Sequence, residues 1–451
     1  MWHGIVIPIA ILAVVLSIPE SLRGEGFPAP RPLGADLESI VERVPDDGQR
    51  PPRFVEPEGA VTLRMALAAA MLGSPDLATH AFEIRAREAH RIQASLRRNP
   101  EANLEVEDIG GSGDFAGVEG SQTTLRLSQL VELGGKRDAR TALAGAEIDV
   151  AGWDYEAERI ALLARTAQSF YAVLGAQLEV SLRREEQALA ESMLATAERR
   201  LRTGIAPSVE VTRARVALEQ ARLSVEQADL GLDHARHTLS ARWGSPLPRF
   251  DRAEGDLERL PPLPDREALL LRLEDSPALA RFDAEALRRR AALRVEESRA
   301  VPDVTFVLGP RWIAALDEAT AVGQVLVPLP IFDRNQGRIA EAHHRLSKLA
   351  SERRAERVRA ESEFVDAYET LRAALLRASS LREHVLPEAD RAVREVRDAW
   401  ERGLFGFLDV LDAERTRLEQ RLVYVEALAQ AHREAAELER VVAVPLEGEH
   451  P

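Results

Sequence analysis

The sequence predicts a mainly α-helical chain with a small β part, built as two equivalent halves of long coiled-coil helices and short strand hairpins. Three observations predict this. Charged residues make up 29% of the 451 residues and aromatics 5%, with Ala, Arg, Glu and Leu dominant, which is the composition of long coiled-coil helices. Helix-like runs without proline extend far beyond what a compact domain uses. A series of features in the first half also returns about 200 residues later, too long a period for a solenoid repeat and suited to one duplicated structural half.

The elements follow in order. Ile5 to Ile18 is apolar throughout, short for a spanning helix and suited to a signal-peptide core, which predicts a signal peptide over 1–19. Residues 20–60 are rich in Pro, Gly and charge and read as an extended segment. The first repeat is predicted over 61–263. Thr62 caps a short helix, and Ser74-Pro75 opens a longer one that Pro100 ends. Leu104 and Val106 alternate with Asn103, Glu105 and Glu107, and Leu125 and Leu127 with Thr124, Arg126 and Ser128, around a Gly-rich loop. This predicts a hairpin over 102–131 with one apolar and one polar face. A long helix follows over 137–201, about 65 residues and on the order of 100 Å, with Ile160, Leu163, Ala167, Phe170 and Leu174 at coiled-coil spacing. A tip at 202–210, a helix over 208–243 and a Pro-rich connector complete the half.

The second repeat is predicted over 264–442. Ser276-Pro277 echoes Ser74-Pro75, Pro302 echoes Pro100, and Val304, Phe306 and Leu308 repeat the strand alternation. The second hairpin is expected over 302–331, with Val325 to Ile331 as its return strand. A long helix is expected over 337–402, kinked at Pro387, then a tip at 402–412 and a helix over 408–442. Residues 443–451 form a short acidic tail.

Each tip is a helix break at glycine followed by a new helix start. In the first, Gly204 leads to Ser208 and Glu210. In the second, Gly403 leads to Leu408 and Asp409, an acidic residue in a first turn being favoured by the helix dipole.

The net charge of −15 argues against a nucleic-acid partner and suits a path for cations. The absence of cysteine excludes disulfides, thiolate metal sites and a Cys nucleophile. His343-His344 are neighbours on a helix and point apart; His234 and His237 share a face but lack a third ligand nearby. The sequence therefore predicts no cofactor, no metal site and no enzyme.

Four half-apolar strands cannot sit in a membrane alone, because their edges would expose unpaired backbone groups to hydrocarbon. They are too few to close a barrel, so several chains must pool them; three would give about twelve strands. On that reading Leu104, Val106, Leu125, Leu127, Val304, Phe306 and Leu308 face lipid, and Glu105, Glu107, Thr124, Arg126 and Ser128 face the lumen. A hairpin packed on a soluble core explains either pair alone equally well.

Three stretches resemble the TolC-like outer-membrane efflux family, and within it the heavy-metal branch of the CzcC/CusC type. They are Leu127 to Arg137, Val327 to Gly337, and Gly403 to Asp412. The resemblance covers nearly the whole chain after about Glu58. It implies a homotrimer in the outer membrane of a Gram-negative bacterium, with a 12-stranded barrel above a helical tunnel in the periplasm. It also implies two partners, a periplasmic adaptor protein and a proton-driven inner-membrane efflux pump of the RND type. From it, Arg202, Gly204, Ser208, Glu210, Gly403, Leu404 and Leu408 become adaptor-docking candidates, although the glycines also serve simply to reverse the chain. Asp409 and Asp412 match the family's aspartates at the periplasmic entrance, where rings of carboxylates would attract cations; the alternative is an ordinary helix-start Asp and a solvated one. The expected function is an exit duct for small solutes, heavy-metal cations first. A duct for drugs or secreted proteins and a soluble periplasmic coiled-coil scaffold are the alternatives.

Overall fold

The computed structural model describes residues 54–204 and 207–446. The predicted signal peptide, most of the extended N-terminal segment, Ile205 and Ala206 of the first tip, and the end of the tail lie outside the described residues.

The elements run β1 (Gly59–Thr62), α1 (Leu63–Gly73), α2 (Pro75–Ser95), β2 (Glu101–Glu107), β3 (Gln122–Val131), α3 (Lys136–Arg202) and α4 (Ser208–Ser240). Then follow β4 (Phe250–Glu254), α5 (Arg266–Arg272), α6 (Pro277–Arg299), β5 (Val304–Ile313), β6 (Glu318–Leu326), α7 (Gln336–Ser380), α8 (Leu386–Glu401) and α9 (Phe407–Val442). Among the described residues the chain divides into two compact units, one formed from Phe82–Ala151 and Leu287–Arg345, the other from residues 54–81, Gly152–Ala286 and residues 346–446. Each unit takes part of both predicted repeats.

The first unit holds a four-stranded antiparallel sheet in the order β2-β3-β5-β6, so the two hairpins meet at a β3–β5 seam. That seam passes Pro310, which has no N–H to give, and Gly309, where an added Cβ would lie 1.8 Å from the Leu125 carbonyl oxygen. Two ties lock the halves below the seam. Asp303 Oδ1 accepts from the Leu133 N–H at 3.0 Å and from Lys136 Nζ at 2.6 Å. Gly134 has a positive φ and packs so closely on Val301 that a Cβ would lie 2.8 Å from it. In the second half the residue before the long helix is Asn335, also at positive φ, whose amide donates to the Glu296 carbonyl oxygen at 2.7 Å.

The second hairpin differs from its expectation. The return strand is Glu318–Leu326, and it stops where the expected strand Val325–Ile331 begins. Pro328 and Pro330 lack the N–H groups a ladder needs, so apolar alternation continues there without a strand.

The second unit is mainly helical. Thr62 caps α1 by accepting from the Met65 N–H at 3.3 Å, and Ser74 Oγ accepts from the Leu77 N–H at 3.3 Å with Pro75 in the first turn of α2. The main core joins Phe170, Val173 and Leu174 of α3, Leu232 and Leu239 of α4, Trp243, and Tyr424 and Leu428 of α9. A second core sets Phe364 and Leu371 of α7 against Leu438 and Val442 of α9 and Leu269 of α5. α3 and α9 approach closely at Gly175, where a Cβ would lie 3.2 Å from Ala429 Cβ.

Two further features correct the sequence reading. The N-terminal segment and the Pro-rich connector are not merely extended: β1 and β4 pair in parallel, with Val61, Phe250 and Ala253 in the main core. Gln177 of α3 clamps this sheet, accepting from the Ala253 N–H at 2.7 Å and donating to its carbonyl at 3.0 Å. The second long helix, expected over 337–402 with a kink at Pro387, is helical from Gln336 to Glu401 and carries a π-helical turn, Leu381–Val385, between α7 and α8. Pro387 follows it at the start of α8, and its missing N–H is absorbed by the wider turn.

Candidate functional site

The two regions singled out by sequence are the strand faces of the first unit and the hairpin tips of the second. In the sheet, side chains directly opposite each other across a ladder share a face. Leu104 pairs with Leu125, Ala102 with Leu127, Leu127 with Leu308, and Val131 with Val304. Counting by twos, Leu104, Val106, Leu125, Leu127, Val304, Phe306 and Leu308 all fall on one face, joined by Trp312 opposite Thr123 and Val325 opposite Phe306. Leu104, Val106, Leu127, Phe306, Leu308, Trp312 and Val325 are exposed in this single chain.

The opposite face is polar and connected. Glu105, Thr124, Arg126 and Ser128 lie on it, as does Arg311, which the sequence reading missed. Arg311 Nε donates to Thr124 Oγ1 at 3.0 Å, its Nη1 donates to Gln122 Oε1 at 3.2 Å, and its Nη2 is 3.6 Å from Glu107. Arg126 pairs with Glu105 at 2.5 Å. The signal for Arg311 was present, since it alternates with Pro310 and Trp312, but it needed the register to place it.

The tips share one end of the helical unit. Ala197 of α3, Val211 and Ala214 of α4 and Phe407 of α9 form one buried cluster with Met193, Leu194 and Leu411. The Arg200 guanidinium also lies over the Trp400 ring, 5.4 Å from its centroid. The second tip is a complete Schellman motif: Gly403, at positive φ, donates its N–H to the Trp400 carbonyl at 2.9 Å, and Leu404 donates to the Ala399 carbonyl at 2.9 Å. At the first tip Gly204, also at positive φ, donates to the Leu201 carbonyl at 3.0 Å.

Arg202, Gly204, Ser208, Gly403, Leu404 and Leu408 are exposed, Leu404 by 73%. Glu210 is turned inward, 3.9 Å from Arg200, so its carboxylate serves the packing of its own tip. The Asp409 carboxylate accepts from the Gly406 N–H at 2.7 Å and so caps its own helix. Asp412, one turn on, is exposed.

A residue the sequence reading passed over anchors the second tip. Glu414 is only 3% exposed, accepts from Arg397 of α8, and lies 2.8 Å from Arg417. Positions 397 and 414 are equidistant from the tip, as antiparallel partners must be, but burial of a carboxylate in so charged a helix leaves no sequence mark. Among the described residues, no helix is long and apolar enough to cross a membrane, and no group of three or more His, Asp or Glu is placed to hold a metal ion.

A family model described as outer membrane efflux protein matches residues 66–245 and 270–444. The chain is 35% identical over 387 residues to the cobalt-zinc-cadmium resistance protein CzcC of Cupriavidus metallidurans, covering 86% of this chain and 91% of that one. It is 27% identical to the nickel-cobalt-cadmium resistance protein NccC of Alcaligenes xylosoxydans xylosoxydans, over 68% of each. Among solved structures it resembles a membrane protein from Pseudomonas aeruginosa at a TM-score of 0.71 and 20% identity, covering 84% of this chain and 92% of that one. It resembles CusC at 0.69 and 17% identity, covering 88% and 98%.

Proposed function

The chain belongs to the outer membrane efflux protein family, and from that premise we propose that it is the exit duct of a tripartite system that carries divalent metal cations out of the cell. It is an outer-membrane efflux channel with a periplasmic helical part, and family channels of this kind work as trimers. The observation that carries the duct reading is the four-stranded sheet, apolar on one face and polar on the other, with β2 and β6 left unpaired at its edges. Such edges are satisfied in a bilayer only by closing on further strands, and three copies supply about twelve.

The cargo reading is supported by the names of the relatives, which are resistance proteins for cobalt, zinc, cadmium and nickel. The polar strand face, with Glu105, Glu107, Arg126 and Arg311, lines the lumen. The exposed tip residues Arg202, Gly204, Ser208, Gly403, Leu404 and Leu408 receive a periplasmic adaptor, which links the duct to a proton-driven RND-type pump. Asp409 and Asp412 stack by threefold symmetry into rings at the entrance, where mutual repulsion is relieved by a bound cation. Asp409 keeps its capping bond in that arrangement, so Asp412 is the freer of the two charges. The chain itself performs no covalent chemistry; it binds, excludes lipid and opens.

Two measurements test this. Deleting the gene in its own host lowers tolerance to cobalt, zinc or cadmium, and the wild-type chain restores it; unchanged metal tolerance with a gain in drug or detergent sensitivity replaces the cargo with organic solutes. In planar bilayers, Asp412→Ala weakens block of the conductance by divalent cations, and Asp409→Ala does so less; unchanged block in both variants removes the gate.

A further inference from the structure

We propose that the segment after β6, Val327 to Phe332, is an intersubunit latch that seats on the exposed apolar side of α2 in the next copy of this chain. The proposal rests on the trimeric reading above. It starts from two apolar patches that the single chain leaves bare. Past the end of β6, Leu329 is 74% exposed, Ile331 62% and Phe332 90%. This is not a loose loop. Arg334 Nε donates to the Pro330 carbonyl at 3.1 Å, the Ile331 N–H donates to the Leu329 carbonyl at 2.9 Å, and Asn335 fixes the base on Glu296. Pro328 and Pro330 stiffen the path. The corresponding connector of the first half, from Glu132 to Gly135, is short and held by Asp303 and by the Glu132–Arg140 pair.

The second bare patch lies ahead of the other sheet edge. Phe82 and Ile92 on α2, and Leu96 just past its end, are exposed. They lead directly into β2.

Strand topology brings the two patches together. The four strands alternate in direction from β2 to β6, so β2 and β6 run oppositely. Joining the β6 edge of one copy to the β2 edge of the next continues the antiparallel pattern without a break. At that joint the chain leaving β6 lies beside the chain entering β2. The latch then meets Leu96 and Ile92 of the neighbour, and Asp333 meets the exposed Arg97 and Arg98 ahead of β2. A bilayer could cover the latch alone, but it gives no account of why the matching apolar patch sits at the same level on the opposite edge.

The chain contains no cysteine, so paired cysteines report this contact cleanly. Phe332→Cys with Leu96→Cys, and Ile331→Cys with Ile92→Cys, are placed in the full chain, purified in detergent and oxidised. The expected result is covalent dimers and trimers on a denaturing gel in at least one pair, lost on reduction and absent in each single variant. A trimer by size that links in neither pair overturns the latch. So does quenching by brominated lipid of a fluorophore attached to the Phe332→Cys single variant. A separate variant needs no cross-link: Leu329→Ser with Phe332→Ser is expected to lower the temperature at which the trimer dissociates while leaving helix content unchanged, and an unshifted temperature overturns the latch. Absence of a trimer in the unmodified chain would instead remove the reading on which the latch rests.

Discussion

In the first half α3 runs unbroken from Lys136 to Arg202 into its tip, whereas in the second half the matching run carries a π-helical turn at Leu381–Val385 ahead of Pro387. The tips differ in the same sense. The first is closed by packing of Ala197, Val211 and Ala214 with Phe407 of α9, and by two loose ion pairs, Arg200–Glu210 and Arg215–Glu198, each at 3.9 Å. The second has a full Schellman motif, a capping Asp409 and a buried carboxylate, Glu414, held by two arginines. The two halves share the path of the chain, and the second has both a π-helical turn and the polar ties that fasten what lies beyond it.

The largest effect should come where the halves are sewn together. Gly309→Val forces a side chain into the Leu125 carbonyl at the β3–β5 seam, and we expect loss of the folded trimer on a heat-modifiability gel. Gly323, on the neighbouring strand, has nothing within 4 Å of an added Cβ, so Gly323→Val should stay within about 1 kcal/mol of the parent and still form trimers. Equal tolerance of both would mean that the seam is not the joint between halves.

Next in size is the contrast between the tips. Glu414→Ala leaves Arg397 and Arg417 without their shared partner; both arginines are partly exposed and regain some hydration, so the cost should be about 2 kcal/mol in denaturant unfolding. Glu210→Ala removes only a long, partly exposed pair and should cost less than about 1 kcal/mol. Equal costs would show that the second tip is no more fastened than the first. Gly403→Ala and Gly204→Ala each place a Cβ on a left-handed residue with open space around it, and each should cost about 1 kcal/mol from backbone strain alone.

What was legible follows from these same residues. The glycines at 204 and 403 and the alternation in the first strands can be read because each is a local requirement, of a left-handed turn or of a pleat with one apolar face. Pro387 likewise marked a break, though not the π-turn that accommodates it. The β1–β4 pair could not be read, because two very short strands far apart in sequence carry no pattern until the core brings Val61 and Phe250 together. The end of β6 was misread because apolar alternation reports the face of a residue and not the presence of ladder bonds, which Pro328 and Pro330 remove. Arg311 and Glu414 were missed for one reason: both are defined by partners on another element, Arg311 across the β3–β5 seam and Glu414 across the second helical hairpin, and register is a property of the pair.

The smallest effect concerns the return helix of the second half. Glu434 of α9 is half-buried, and burial pushes its carboxyl above the usual carboxylate range; neighbouring Glu437 adds to this, while Arg433 and a hydrogen bond from Gln430 oppose it. In the folded chain this group therefore holds its proton to higher pH than in the unfolded chain. Between the ordinary value and the raised one the folded state binds more protons, so stability falls as pH rises through that window and is level above it. Solvent screening keeps the change below about 0.5 kcal/mol. Glu434→Gln removes the titrating group without changing its size, so its unfolding free energy should fall less between mildly acidic and neutral pH than that of the parent. Parallel pH profiles for the two proteins would mean that the α9 carboxylate titrates as freely when folded as when unfolded. The second return helix would then lose one of the features that set it apart from the first.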